Sequence, residues 1–223
     1  MKIRSPHSWK VTPKQAIAIQ QRLSRKIITL DRLGSVAWVA GVDVGFEQGG
    51  AITRAAVVLL AYPSLTLVEA ASARRPTVFP YIPGLLSFRE IPVLLWALRR
   101  LRQQPDLFIC DGQGIAHPRR IGIASHLGLI TGVPSIGVGK SRLIGSHEPV
   151  PDRKGAWQPL WDREQCIGAV VRTRKGVKPV YVSPGHNISL ETAIDFVLSC
   201  TTRYRLPEAI RMAHQHASLK DQG

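Results

Sequence analysis

The chain has few acids, few cysteines and no long apolar run, and each shortage removes a class of function. Asp and Glu number 15 against 30 Lys and Arg, a formal charge of +15 over 223 residues. Such an excess without a low-complexity tail favours a polyanionic partner, most often nucleic acid. The three cysteines, Cys110, Cys166 and Cys200, are odd in number, widely spaced and never in a CxxC pair. That excludes a disulfide framework and a cysteine-rich zinc site, and it fits a reducing compartment. No apolar run reaches the roughly 18 residues of a membrane span, and no basic helix carries a strongly apolar opposite face with interfacial Trp. The basic start, Met1 to Lys10, lacks the apolar stretch of a secretory signal. A soluble, cytoplasmic protein with no membrane partner is expected. With 44% hydrophobic and 20% charged residues the chain is ordinary globular material, long enough for one well-packed domain.

What is present is a pair of matching segments, Ala40-Gly41-Val42-Asp43-Val44-Gly45 and Phe108-Ile109-Cys110-Asp111-Gly112-Gln113-Gly114. Each is an apolar run that ends on an aspartate and passes at once into glycine. Buried strands read this way, and an aspartate at the end of one has reached an open rim. On adjacent strands two such carboxylates repel strongly unless a cation sits between them. A lone aspartate here would more often cap the following turn; two in the same context favour a metal site. Mg²⁺ takes hard oxygen ligands and keeps several waters, so two or three carboxylates suffice. Held over a phosphodiester, it polarises phosphorus and helps generate hydroxide. Glu90, beginning an amphipathic helix, is either a third carboxylate or a complement to the helix dipole. The Gly41–Gly45 segment also resembles the first phosphate loop of the actin and sugar-kinase superfamily. That architecture needs two similar domains around a cleft, for which this chain is too short.

Thr12-Pro13-Lys14-Gln15 has the form of a capping box with proline in the first turn. Ala16, Ile19, Leu23, Ile27 and Leu30 continue it at helical spacing, with Gly34 as a stop. Strand-like runs over 36–44, 54–62 and 65–72, joined by short turns, predict an antiparallel meander. A helix over 88–103, a strand over 107–110, a helix over 121–131 and a strand over 135–138 follow. Strands over 166–173 and 179–182 surround the turn Lys175-Gly176, and helices over 190–200 and 207–216 close the chain. The fold class is α/β: a mixed sheet, antiparallel meander plus parallel strands, flanked by helices. One domain over 1–223 is expected, with a possible exposed insertion at 145–161.

Between the two aspartates lies Pro80-Tyr81-Ile82-Pro83-Gly84-Leu85-Leu86-Ser87-Phe88-Arg89-Glu90. Prolines around an aromatic and an isoleucine give a rigid apolar tip, suited either to burial under a loop or to wedging beside an unstacked base. With this segment the chain resembles the endonuclease V family, which nicks nucleic acid beside deaminated bases. The resemblance rests on 41–44, on 80–90, and on the DGQGIAHPRRIGIASHLG segment from Asp111 to Gly128. It continues through 136–141, through Val182-Ser183-Pro184-Gly185-His186-Asn187-Ile188-Ser189, and through Tyr204-Arg205-Leu206-Pro207 with His214.

The resemblance implies an RNase H-like fold, Mg²⁺ dependence with Mn²⁺ as a substitute, and action on inosine-containing DNA. It implies cleavage of the second phosphodiester 3′ to the lesion, leaving 3′-hydroxyl and 5′-phosphate ends. Asp43 and Asp111 match the metal-binding aspartates, Glu90 a third acidic position, His214 a histidine near the active site, and Tyr81 the wedge tyrosine, with Pro80, Ile82 and Pro83 around it on the DNA-binding tip. Lys140 is expected at the scissile phosphate. Hypoxanthine presents a carbonyl and a ring N–H where adenine has an amino group. A pocket with backbone donors and acceptors reads that change; Gly84, Leu85, Gly112, Gly114, His117 and Ile123 are the expected lining. Arg119 and Arg120 are expected on backbone phosphates. Gly45, Gly139 and Ala209 depart from the family pattern without removing a carboxylate. The resemblance implies DNA containing deaminated bases as the partner, and the protein is expected to be a monomer. The alternatives are an inosine-specific ribonuclease and a non-catalytic nucleic-acid-binding accessory protein.

Overall fold

Strand β1 (Trp38–Glu47) sends Val39 into one apolar cluster and Ala40 and Val42 into another. Strand β4 (Leu107–Asp111) does the same, with Leu107 and Ile109 on the first side and Phe108 and Cys110 on the second. Strands this apolar require cover on both faces. The structure, a computed structural model describing residue 3 and residues 6–218, provides it. Helices α4 (Leu190–Ser199) and α5 (Glu208–Ser218) cover the first face, while α2 (Leu86–Leu98) and α3 (Ile123–Thr131) cover the second. The basic N-terminal stretch lies partly outside the described residues. Among those described, no helix is long and apolar enough to cross a membrane.

The remaining strands are β2 (Ile52–Ala61), β3 (Leu67–Pro76), β5 (Ser135–Gly139), β6 (Trp157–Asp162), β7 (Gln165–Val171) and β8 (Val180–His186). Their order in one eight-stranded sheet is β3-β2-β1-β4-β5-β8-β7-β6. β1–β4 and β4–β5 pair in parallel and all other neighbours are antiparallel. This is the RNase H-like mixed sheet, with the meander β1–β3 at one side.

Helix α1 (Pro13–Ser24) starts as its sequence dictates: the Thr12 hydroxyl accepts from the Gln15 N–H at 3.3 Å, and the Gln15 side chain accepts from the Thr12 N–H at 2.8 Å. It stops before Ile27 and Leu30, against the apolar spacing. Residues 28–32 are drawn instead to the end of β8: the Ile28 N–H donates to His186, the Asn187 N–H to the Ile28 carbonyl, and the Arg32 N–H to the Asn187 carbonyl. Leu30 is left 69% exposed. Helix α2 ends at Leu98, short of Gln103, because the Glu69 carboxylate takes up the Arg102 and Gln103 N–H groups outside the helix. In the 145–161 segment, Ser146 bridges to Trp161, and residues from Trp157 onward form the edge strand β6. Helix α4 is capped by the Ser189 hydroxyl.

Gly41 governs how α5 sits on the sheet. A Cβ there would stand 1.9 Å from the Ala209 carbonyl oxygen, so the helix backbone rests directly on the strand.

Candidate active site

Register places the two aspartates. Val42 lies beside Cys110 in the parallel β1–β4 ladder, which makes Asp43 and Asp111 the next positions along adjacent strands. Side chains alternate with period two, so Asp43 is in phase with Val39 and Asp111 with Leu107 and Ile109. Both carboxylates therefore leave the sheet on the α5 face. Glu90 approaches from α2, on the other face. Asp43, Glu90, Asp111, Lys140 and His214 line one cavity of about 360 Å³.

The electrostatics are those of crowded negative charge. Burial raises the Asp43 pKa, and the Asp111 charge raises it further against the pull of His214. Glu90 is pushed up to about 8 by burial, then by Asp43 and Asp111. Each aspartate has a close cationic or potentially cationic partner: Lys140 Nζ is 2.5 Å from Asp111, and His214 Nδ1 is 3.0 Å from Asp43. Among the described residues no three His, Cys, Asp or Glu side chains converge into a ready metal cage. The three carboxylates face a shared space, a donor set suited to a hard cation that keeps waters or phosphate oxygens in its shell.

A second cavity of about 270 Å³ adjoins the first, and the two share Glu90, Asp111 and Ile123. Tyr81, Pro83, Gly84, Gly112 and His117 line it, together with Gln20, Gln113 and Leu143. Tyr81 is 67% exposed. Its loop is anchored from below, where Phe79 and Leu85 are buried with Phe88 and Ala16, and Ile82 packs on them. Tyr81 is thus an exposed ring on a braced base. Ile82 faces inward as part of that base, because its apolar side chain meets the Phe79–Phe88 cluster.

The base of this pocket is held by one carbonyl. Gly84, at φ +79°, is in a conformation few side-chain-bearing residues adopt. Its oxygen accepts from Gln20 Nε2 at 3.0 Å, from His117 Nε2 at 3.1 Å and from Arg119 Nη2 at 2.6 Å. Because His117 Nδ1 accepts from the Arg119 N–H at 3.1 Å, the ring proton must sit on Nε2. Burial and then the Arg119 charge push the His117 pKa down to about 4, so this donor is a neutral imidazole.

Two expected lining residues lie elsewhere. Leu85 is 2% exposed within the core under the loop. Gly114 is packed against the Pro184 backbone, to which the Ile115 N–H also donates. The arginines expected on phosphates have protein partners. Arg119 donates from Nε to Gln20 as well as to Gly84, and Arg120 donates to Gln165, to the His117 carbonyl and to Asp162 at 2.6 Å. Pro80 is exposed beside Tyr81.

Gln20 and Arg205 are site residues that sequence reasoning did not find. Gln20 is 1% exposed and braces Gly84 and Arg119. Arg205 donates from Nη2 to the carbonyls of Lys140 and Pro179, both at 2.7 Å, and so fixes the backbone that presents Lys140. Arg205 stands in a matched motif, which was the available signal; Gln20 had none beyond its helix.

The chain is similar to known proteins along nearly its whole length. Residues 21–215 match the family model for Endonuclease V. An Endonuclease V of Trichormus variabilis is 59% identical over 219 residues, covering 98% of this chain and 99% of its own. The crystal structure of the Streptomyces avermitilis Endonuclease V superposes with a TM-score of 0.90 at 41% identity, covering 97% of this chain and 96% of that one. The Ciona intestinalis Endonuclease V, in complex with a 23mer DNA containing an inosine followed by a ribo-adenosine, superposes at 0.81 with 31% identity, covering 93% and 97%. With a matching fold, a matching family model and similarity along nearly its whole length, the chain belongs to the endonuclease V family.

Proposed function

We propose that this chain is a metal-assisted DNA repair endonuclease that takes a deaminated base, hypoxanthine above all, into the pocket beside Tyr81 and hydrolyses the second phosphodiester on its 3′ side. The products carry 3′-hydroxyl and 5′-phosphate ends. The observation that carries this reading is the shared wall: the pocket able to hold a base and the cavity lined by three carboxylates meet at Glu90, Asp111 and Ile123. A strand whose base occupies the first has its following phosphates beside the second.

Asp43, Asp111 and Glu90 would hold the cation, Mg²⁺ with Mn²⁺ able to replace it. The raised pKa values of Asp43 and Glu90 support this, because carboxylates that destabilise one another gain most from a shared dication. A bound dication supplies an activated water and neutralises charge developing on the phosphate. Lys140 brings a further positive charge to the same cavity, and His214 orients Asp43 through their hydrogen bond. Tyr81 fills the place of the extruded base, and the Gly84 and Gly112 backbone reads its edge. The fixed His117 tautomer keeps that backbone in one orientation.

The test is nicking of a duplex carrying one inosine, with Mg²⁺ and with EDTA. Metal-dependent cleavage at the second bond 3′ to inosine is expected, and no cleavage would leave a binding protein. Tyr81→Ala should reduce the preference for inosine over undamaged duplex about tenfold, the scale of one lost stacking contact; unchanged preference removes the wedge role. One observation favours a second reading, inosine in RNA: the Ciona relative was crystallised on an inosine followed by a ribonucleotide. Rates on DNA and RNA strands with a single inosine separate the two substrates.

A further inference from the structure

The carboxylate cavity extends beyond Asp43, away from the base pocket. Its far wall is formed by Gly45, Phe46 and Arg54, and none of these lines the base pocket. Phe46 lies near the end of β1, three residues past Asp43, and is 39% exposed. An open phenyl ring at a strand end is ordinarily free to turn, but this one is backed. The Arg89 guanidinium carbon lies 4.3 Å from the ring centroid. Arg89 is itself tethered, donating to the Phe79 carbonyl at 3.3 Å and to the Gly50 carbonyl at 3.4 Å. Arg54 faces Gly45 across the β1–β2 ladder and brings a second guanidinium to the wall, oriented by Glu47 at 3.2 Å. A ring backed on one face and open on the other is the platform on which single-stranded nucleic acid stacks a base.

The geometry points to Phe46, backed by Arg89, as the seat of the nucleotide immediately 3′ of the cut. This rests on the proposed function: a strand that leaves the base pocket and crosses the carboxylates arrives at this wall. Every base has a face to stack, so the seat holds the departing side of the strand without adding a sequence preference. Recognition then stays with the pocket beside Tyr81, while Phe46 fixes the far side of the scissile phosphate and so its alignment over the carboxylates.

A double-perturbation cycle tests it. Oligonucleotides carry one inosine and, just 3′ of the expected cut, either a normal nucleotide or a tetrahydrofuran abasic residue. Affinity is measured by fluorescence anisotropy in Ca²⁺, and the enzyme concentration giving half-maximal single-turnover nicking is measured in Mg²⁺. For the natural chain the abasic residue should weaken both about 5- to 150-fold, the range of one base–aromatic stack. Phe46→Leu should lose a similar factor on the intact strand and little more on the abasic one, whereas Phe46→Trp, which keeps a ring, should retain the abasic penalty. Losses that simply multiply in Phe46→Leu, or an abasic penalty absent from the natural chain, overturn the seat. The two hypotheses fail separately. A natural chain that nicks inosine strands but shows multiplying losses keeps its function and loses the seat; one that nicks no inosine strand loses the function.

Discussion

The carboxylate cavity and the base pocket share three residues yet are built on different principles. The cavity draws its chemistry from ionisable side chains at the ends of adjacent strands. Ladder register sets Asp43 beside Asp111. The pocket draws its chemistry from loop backbone, which has no ladder to hold it. There a single carbonyl, that of Gly84, is gripped by Gln20, His117 and Arg119. Regular structure positions a charge through its ladder, whereas an irregular loop is held by a polar network. The two regions should therefore respond differently when broken.

The largest effect belongs to the cavity. Asp43→Ala or Asp111→Ala should lower nicking of an inosine duplex roughly a thousandfold or more, the several kcal/mol that metal-assisted charge stabilisation supplies. Affinity for the same duplex should fall far less; undiminished cleavage by either variant would remove these aspartates from the chemistry.

Next comes Glu90, whose cost to the fold can be read without any substrate. With its pKa at about 8, it keeps a proton in the folded chain that the unfolded chain releases near 4.5. The folded state therefore binds more protons between those values, and stability declines as pH rises from 4.5 to about 8, then levels off. Glu90→Gln removes the decline. In EDTA at pH 8 it should be more stable than the natural chain by about 1–3 kcal/mol, after discounting for solvent at the cavity mouth. At pH 4 the difference should vanish. Thermal scans at the two values check it, and a difference of the same size at both would assign it to packing instead.

The smallest effect, and the one that isolates the pocket, is that of Gln20→Ala. Losing one of three donors to Gly84 should reduce the inosine preference about three- to tenfold, while the maximal nicking rate on inosine stays within twofold. If rate and preference fall together, the two regions are not separable in this way.

The features legible in the sequence are those fixed by local rules. Strand-end aspartates, the Thr12–Gln15 capping box and the meander all follow from spacing, turn chemistry and alternation. The features that were not legible depend on distant partners. Gln20 acts on groups 64 and 99 residues away, so nothing around it in sequence announces its role. Arg119 and Arg120 have protein partners, the Gly84 carbonyl and the Asp162 carboxylate, that a linear chain does not show. The spacing of Ile27 and Leu30 looked helical, but the end of β8 offered their backbone other partners. Leu85 packs into the core and Gly114 against the Pro184 backbone, contacts that only the folded chain makes.

Gly41 carries a further consequence. Its bare Cα lets α5 rest on β1, and α5 ends by delivering His214 to Asp43. A single added methyl group at position 41 would act as a spacer, levering the helix outward and separating two partners 171 residues apart in the chain. The active site thus has a hidden point of failure: a change that alters no charge and touches no substrate, yet unseats the histidine that holds a carboxylate in place.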